Sequence, residues 1–230
     1  MNCQIVHDSI HRRAGWMISY IFEIGGVSAG FGSVAIGGPW KEKHAILEYY
    51  ISPAHRNRAF AFFELLMTSS GARFFEAQSN EALFSAMALT YATDVASESI
   101  VFQDGMTSNL AVVDAVLRAV TDPENVVSAI EERQGGGEWV IEVDGTVVGK
   151  GGILFHYNRP YGDIYMEIEK PMRQRGFGSY LVQELKREAY KLGAIPCARC
   201  SPANVPSRKT LQRAGFVPFA HMLTGSLRAP

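Results

Sequence analysis

Residues 173–178 read RQRGFG, and residues 56–61 read RNRAFA. The two hexapeptides share arginine at the first and third positions and phenylalanine at the fifth. The later hexapeptide has Gly176 and Gly178 where the earlier one has alanine. The chain therefore carries one short motif twice but has its glycines in only one copy, which suggests that the glycines do something that only one copy needs.

The repetition extends beyond the two hexapeptides. Residues 22–32 read FEIGGVSAGFG and residues 141–151 read IEVDGTVVGKG, which align at an offset of 119 residues, whereas the hexapeptides align at 117. A small change in loop length accounts for the difference. Because self-similarity at a fixed period indicates a repeat architecture, we predict two tandem domains, residues 1–106 and residues 107–230.

Each repeat has the same predicted order of elements: a strand, a glycine turn, two more strands, the arginine motif and a helix. In the later repeat, apolar residues recur at helical spacing through residues 179–192, and a strand is predicted at 195–200. Between the repeats, residues 109–120 and 124–133 are predicted to form two helices, followed by a flexible turn at 133–138. This alternation of strands and helices predicts an α/β (α+β) fold.

The composition excludes several classes of protein. Of the 230 residues, 47% are hydrophobic and 20% are charged, which is typical of a globular chain and not of a disordered one. The formal net charge of −1 does not favour a nucleic-acid partner. No secretory signal and no apolar stretch of about 20 residues is evident, so we expect no membrane partner and a cytoplasmic location.

A lone CxxC motif is formed by Cys197 and Cys200. A zinc or redox site would need further ligands nearby, and on a strand two positions three residues apart face opposite sides. We therefore expect both cysteines to be packing residues and expect no metal.

The glycines of the later hexapeptide fall where a strand is predicted to turn into a helix. A helix N-terminus offers unpaired N–H groups to an anion, and glycine lets the ligand approach the backbone closely. Arg173 and Arg175 add positive charge suited to phosphate oxygens. The motif therefore predicts a pyrophosphate cradle, although the hexapeptide alone equally allows loop glycines beside solvated arginines.

The wider pattern resembles the GNAT family of acetyl-CoA-dependent N-acetyltransferases. The residues that carry the resemblance are Arg173, Gly176, Gly178, Asn204, Ser207, Gly215 and Phe216. The resemblance implies a mixed, mostly antiparallel sheet flanked by helices, in two tandem copies. It also implies that acetyl-CoA is the cosubstrate, and that the acetyl group goes to a primary amine of a small-molecule or peptide acceptor.

Specific cofactor contacts follow from the resemblance. The loop that would grip the CoA pyrophosphate comprises Arg173, Gln174, Arg175, Gly176, Phe177, Gly178 and Ser179. Backbone around Ile168 would pair with the pantetheine arm and polarise the thioester carbonyl, and Asn204 and Ser207 would lie along the same arm. In the first repeat, Ala59 and Ala61 place methyl groups where the backbone contacts would form, so we expect residues 1–106 to be a degenerate copy.

The sequence offers several candidates for the catalytic groups. Many relatives protonate the leaving thiolate with a tyrosine seven residues after the asparagine, but that position here is Leu211. Glu167 is our first candidate for the base, with Tyr165 as a further candidate, alongside the histidines at 156 and 221. Glu167 could instead be an ordinary solvated strand residue. The alternative function is a non-catalytic acyl-CoA-binding regulatory module.

Each repeat has too few residues for its last strands. Relatives close their sheet with two long strands, whereas only 14 residues follow Phe216, and the first repeat is equally short after SESIVFQDG at 97–105. We therefore expect the two repeats to complete one another's sheets, either within one chain or across a homodimer.

Overall fold

The computed structural model describes residues 7–120 and 135–229. The chain forms two compact units. The first unit consists of two segments, the chain up to Ser99 and the chain from Ala220 onward. The second unit is Ile100–Phe219. The repeat boundary drawn from the sequence at residue 107 concerns internal similarity and stays a prediction. None of the helices in the described part of the chain is long and apolar enough to cross a membrane.

The helices and strands up to residue 104 belong mainly to the first unit. In chain order they are α1 (His7–His11), β1 (Met17–Ile24), β2 (Val27–Ala35), a 3₁₀ turn (Gly38–Trp40), β3 (Ala45–Ile51), a 3₁₀ helix (Pro53–Arg58), α2 (Ala59–Ser70), β4 (Phe74–Gln78), α3 (Ala82–Tyr91) and β5 (Ala96–Asp104). Those that follow are β6 (Ala115–Ala119), β7 (Gly135–Val143), β8 (Thr146–Leu154), β9 (Tyr161–Ile168), a 3₁₀ turn (Lys170–Met172), α4 (Phe177–Lys191), β10 (Ile195–Cys200), α5 (Val205–Arg213) and β11 (Phe216–Ser226).

In the first unit, β1, β2 and β3 are antiparallel, β3 and β4 are parallel, and β4 pairs with the end of β11 in the antiparallel sense. Its core is aromatic: Phe63, Phe75 and Phe84 are almost fully buried between the sheet and the helices α2 and α3. Such rings supply most of the apolar area that a small core can remove from water.

In the second unit, β6 to β9 are antiparallel, β9 and β10 are parallel, and β10 pairs with the end of β5 in the antiparallel sense. Helix α4 covers one face of this sheet and buries Leu181, Leu185 and Ala189. A Cβ at Gly151 on β8 would lie 2.9 Å from a methyl group of Leu185, so glycine lets the helix approach the sheet. The result is a mixed α/β fold with a mostly antiparallel sheet.

The two halves of the sequence exchange their last strands within one chain. Residues 222–226 of β11, from the second half, pair with residues 74–78 of β4 in the first unit. Residues 100–103 of β5, from the first half, pair with residues 197–200 of β10 in the second unit. This confirms the expectation that the halves complete one another's sheets, and it explains why each half is short of a strand.

This exchange predicts a sharp difference between two fragments. A fragment of residues 107–219 lacks β5 and should be insoluble, because β10 loses its antiparallel partner and the core loses Val101 and Phe102, which are 1% and 0% exposed. A fragment of residues 96–219 keeps β5 and should be soluble. Size-exclusion chromatography of both fragments tests this. A folded, monodisperse 107–219 fragment would show that β5 is dispensable to the second unit.

One predicted helix is wrong. Within residues 109–120, Ala115–Ala119 form the strand β6, which pairs with β7. Asp114 has a φ of 58°, a left-handed conformation that interrupts a helix, and Arg118 makes a 2.6 Å ion pair with Glu142 on the neighbouring strand. Valine at 112, 113 and 116 also favours a strand. The second predicted helix, 124–133, lies outside the described residues, and the described part of the predicted turn at 133–138 belongs to β7.

Candidate functional site

The parallel strands β9 and β10 pair over only a short length. The paired positions are Tyr161 with Ile195, Gly162 with Pro196, and Asp163 with Cys197. Beyond them β10 continues along β5, while β9 continues along β8 up to Ile168. Within the described part of the chain, residues 164–168 therefore pair with a strand on one side only. The other edge of β9 offers backbone donors and acceptors to an extended ligand, as in strand addition.

The loop that follows β9 reverses the chain with two left-handed residues. Gln174 has a φ of 63° and Gly176 a φ of 90°, and Gly176 is the N-cap residue of α4. A Cβ at Gly176 would meet nothing closer than 4.0 Å, so glycine is required there by backbone conformation and not by space. No side chain caps α4. The first turn of α4 therefore has no side-chain cap on its N–H groups, and the binding of an anion there stays a prediction.

Gly178 is glycine for a different reason. A Cβ at this position would lie 3.3 Å from Thr210 on α5 and 3.5 Å from the side chain of Ile168. Gly178 therefore lets the first turn of α4 lie close to both α5 and the end of β9, and this brings the loop beside the unpaired edge of that strand. Phe177 and Ser179, the other predicted contact residues in this turn, are 3% and 5% exposed, so they present mainly backbone.

Both arginines of the loop are exposed. Arg173 donates from Nε to the carbonyl oxygen of Ile168 at 2.9 Å, which anchors the base of its guanidinium group at the end of β9. Arg175 lies over the ring of Phe177, with 5.4 Å between the guanidinium carbon and the ring centroid. The loop therefore holds positive charge next to the N-terminus of α4. Because Arg173 occupies the carbonyl of Ile168, that oxygen is less available to a ligand than the prediction assumed.

Asn204 and Ser207 act together at the start of α5. The Asn204 side chain is the N-cap and accepts a hydrogen bond from the backbone nitrogen of Ser207 at 3.1 Å. Such a cap typically contributes about 1 kcal/mol to stability. Asn204 and Ser207 thus stabilise the start of α5, while their predicted contact with the cofactor stays a prediction.

The catalytic candidates on β9 differ in their surroundings. Glu167 is exposed and is paired in register with Lys150 on β8. Tyr165 is half-buried, and its hydroxyl donates to Oε1 of Glu138 on β7 at 2.5 Å. Leu211, at the position where relatives carry the tyrosine acid, is 4% exposed and belongs to the core of the second unit.

A second polar cluster lies where β9 and β10 stop pairing. Asp163 is 5% exposed. Its Oδ2 lies 3.0 Å from Nε2 of His156 and 3.8 Å from Nε of Arg199. Burial, reinforced by the charge of Asp163, raises the pKa of the Tyr157 hydroxyl and of the Cys197 thiol. Cys197 is therefore a poor nucleophile at neutral pH. Within residues 7–120 and 135–229, no three His, Cys, Asp or Glu side chains are grouped so as to hold a metal ion.

The corresponding loop of the first unit is built differently. The 3₁₀ helix Pro53–Arg58 runs directly into α2, and the backbone nitrogen of Ala59 donates to the carbonyl oxygen of Arg56. Ala59 has an ordinary helical φ of −56°. The buried Tyr49 also donates its hydroxyl to the carbonyl oxygen of Ala59. In this unit, therefore, the helix begins with ordinary helical backbone, whereas α4 begins with a left-handed glycine.

Sequence reasoning missed Glu138, and it named His156 without placing it beside Asp163. Glu138 reaches Tyr165 across an intervening strand, and only the register of β7, β8 and β9 reveals this. One signal was present: Gly152 lies between them in that register, where a side chain would collide with the tyrosine ring.

Comparisons with known proteins point to one family. The model of the acetyltransferase (GNAT) family matches residues 110–216. No curated protein matches the sequence. Among solved structures, an acetyltransferase of the GNAT family from Colwellia psychrerythraea is 16% identical with a TM-score of 0.68, and the match covers 91% of this chain and 85% of that one.

Two further structures match nearly the whole chain. A GCN5-related N-acetyltransferase from Sphaerobacter thermophilus is 12% identical with a TM-score of 0.63, covering 96% of this chain and 84% of that one. A tandem GNAT protein from the clavulanic acid biosynthesis pathway is 13% identical with a TM-score of 0.60, covering 96% and 86%. At such low sequence identity the structural similarity shows the fold alone, and it is the GNAT-type fold that the sequence predicted. Together with the match to the family model, these structures support the assignment of the chain to the GNAT acetyltransferase family.

Proposed function

We propose that this protein is an N-acetyltransferase that transfers the acetyl group of acetyl-CoA to a primary amine. The observation that carries the proposal is the early end of pairing between β9 and β10, beside a helix whose N-cap is a left-handed glycine. An unpaired strand edge suits the amide groups of a pantetheine arm, and an uncapped helix N-terminus suits a diphosphate. The match of residues 110–216 to the GNAT family supports the same chemistry.

The residues proposed to hold acetyl-CoA lie in the second unit. The loop from Arg173 to Ser179 would bind the diphosphate through its backbone and through the two arginines. Backbone of β9 near Ile168 would receive the pantetheine arm, with Asn204 and Ser207 on the far side. The amine then attacks directly within a ternary complex, with Glu167 or Tyr165 as the group that takes its proton.

We also propose that the first half of the chain is a degenerate copy of the same domain. The support is local: Ala59 and Ala61 replace the glycines, and Tyr49 hydrogen-bonds to the start of α2. A similar protein of known structure is described as a tandem GNAT protein. On this proposal the chain binds acetyl-CoA in the second unit alone.

The function is tested by incubating the protein with acetyl-CoA and a panel of amines, including amino acids, polyamines, aminoglycosides and lysine peptides. Mass spectrometry should detect an acetylated product from at least one of them. Arg173→Ala should raise the KM for acetyl-CoA about tenfold or more, since a charged hydrogen bond contributes about 1.5–3 kcal/mol. Arg56→Ala, the exposed equivalent in the first repeat, should leave it unchanged. Binding of acetyl-CoA without transfer to any amine would favour the regulatory module instead.

A further inference from the structure

We infer that Tyr165 and Glu138 form a proton relay that both deprotonates the acceptor amine and protonates the departing thiolate. This inference rests on the proposed acetyl transfer. It assigns the proton steps to a pair that replaces the family's usual tyrosine, whose position is filled here by the buried Leu211.

The pair is held by three adjacent strands in register. Glu138 on β7 is directly paired with Gly152 on β8, and Gly152 is directly paired with Tyr165 on β9. Directly paired residues point to the same face of a sheet, so a carboxylate and a phenol flank a position without a side chain. The tyrosine ring lies across that position: a Cβ at Gly152 would be 2.8 Å from both the Cε1 and the hydroxyl oxygen of Tyr165.

This arrangement fixes the hydroxyl in one orientation. The hydroxyl donates to Oε1 of Glu138 at 2.5 Å, within the range of a charge-assisted O–H···O⁻ bond. With its proton directed at the carboxylate, the phenolic oxygen keeps a lone pair that can accept a proton from another group. Both side chains are half-buried, so the pair is shielded from bulk water yet reachable by a ligand.

Tyr165 and Glu138 lie near the part of β9 where we propose that acetyl transfer takes place. Tyr165 is two residues beyond Asp163, the last position at which β9 pairs with β10, and it lies on the same face of the strand. Three further residues along β9, roughly 10 Å at the usual rise, lead to Ile168 and the glycine loop. Tyr165 therefore lies near the closed end of the gap between the strands, opposite the end at which the loop would bind diphosphate.

The relay balances the reaction. As the neutral amine attacks the thioester carbon, the nitrogen passes a proton to the phenolic oxygen of Tyr165, and the original phenolic proton moves to Glu138. As the carbon–sulfur bond breaks, Tyr165 gives its proton to the thiolate, and Glu138 returns its proton to Tyr165. The net result is an amide, CoA with a free thiol, and both side chains restored. Tyr165 is the catalytic residue and Glu138 acts through it.

The test compares variants with the acceptor amine identified from the panel. Tyr165→Phe and Glu138→Gln should each lower kcat about 10²–10⁴-fold, the usual contribution of acid–base catalysis. Both should leave the calorimetric affinity for acetyl-CoA unchanged. The double variant should be no slower than Tyr165→Phe, because residues that act as one unit are not additive. Glu138→Asp, which keeps a carboxylate, should recover part of the lost kcat.

The chain offers a matched control. Tyr190 also donates its hydroxyl to a carboxylate of the second unit, Asp104, at 2.7 Å, but it lies at the opposite end of α4 from Gly176. Tyr190→Phe should therefore leave kcat unchanged. Full kcat in Tyr165→Phe, or additive losses in the double variant, would overturn the relay while leaving acetyl transfer intact. Absence of transfer by the unmodified protein would overturn both.

Discussion

Replacing Gly176 by valine should reduce the affinity for acetyl-CoA at least 100-fold. Gly176 has a φ of 90°, which a β-branched residue adopts only under strain, so the loop must change its path. The change would misdirect the backbone N–H groups at the start of α4. Loss of two hydrogen bonds to a charged diphosphate costs about 3–6 kcal/mol, which corresponds to roughly 10²–10⁴-fold in affinity. Isothermal titration calorimetry measures this directly.

Gly193→Val provides the control for backbone strain. Gly193 also has a positive φ, 72°, and lies just beyond the other end of α4 with no atom near its missing side chain. The two variants should lose similar stability, but Gly193→Val should bind acetyl-CoA as the unmodified protein does. Equal affinity in the two valine variants would remove the glycine loop from the binding site.

Replacing Lys186 by methionine should destabilise the second unit by about 3–5 kcal/mol. The Lys186 ammonium lies 2.5 Å from Oδ1 of Asp104, and these side chains are only 7% and 13% exposed. The ammonium also donates to the carbonyl oxygens of Met106 and Ala214, each at 2.9 Å. Methionine fills the space but leaves a buried carboxylate without its counter-ion, and this is the costly half of a broken ion pair.

Thermal unfolding followed by circular dichroism should show this loss as a Tm lower by roughly 6–20 °C, at about 2–4 °C per kcal/mol for a chain of this size. Lys191→Met is the matched control on the same helix. Lys191 is 70% exposed and pairs with Glu188 at the surface, so its removal should change stability by less than about 1 kcal/mol. The double variant Lys186→Met/Asp104→Asn should regain part of the loss. Equal Tm values for the two single methionine variants would show that the buried ion pair is unimportant.

Much of the fold could be predicted because local patterns and tertiary structure agree. The apolar spacing of residues 179–192 matches α4, and the strand predicted at residues 195–200 matches β10. The shortage of residues after Phe216 even predicted the strand exchange. The helix predicted at 109–120 was wrong because residues 115–119 form a strand by pairing with the edge of β7. No local sequence pattern reveals that this edge is available for pairing.

The site could be predicted only where it depends on backbone conformation. Gly176 is visible in the sequence because a left-handed helix cap demands glycine. Glu138 is not, because its partnership with Tyr165 depends on the register of three strands. The family resemblance assigned Asn204 to cofactor binding, so its role as the cap of α5 was not predicted. Register and side-chain contacts across a sheet thus carry the information that a motif search lacks.

The stoichiometry of acetyl-CoA binding tests the central claim most directly. Calorimetry of the unmodified chain should give one molecule bound per chain, and the binding should be lost in Gly176→Val but retained when Ala61, the exposed equivalent of Gly178 in the first repeat, is replaced by valine. Absence of binding, two molecules per chain, or binding abolished only by the Ala61 variant would contradict the assignment of the cofactor to the second unit.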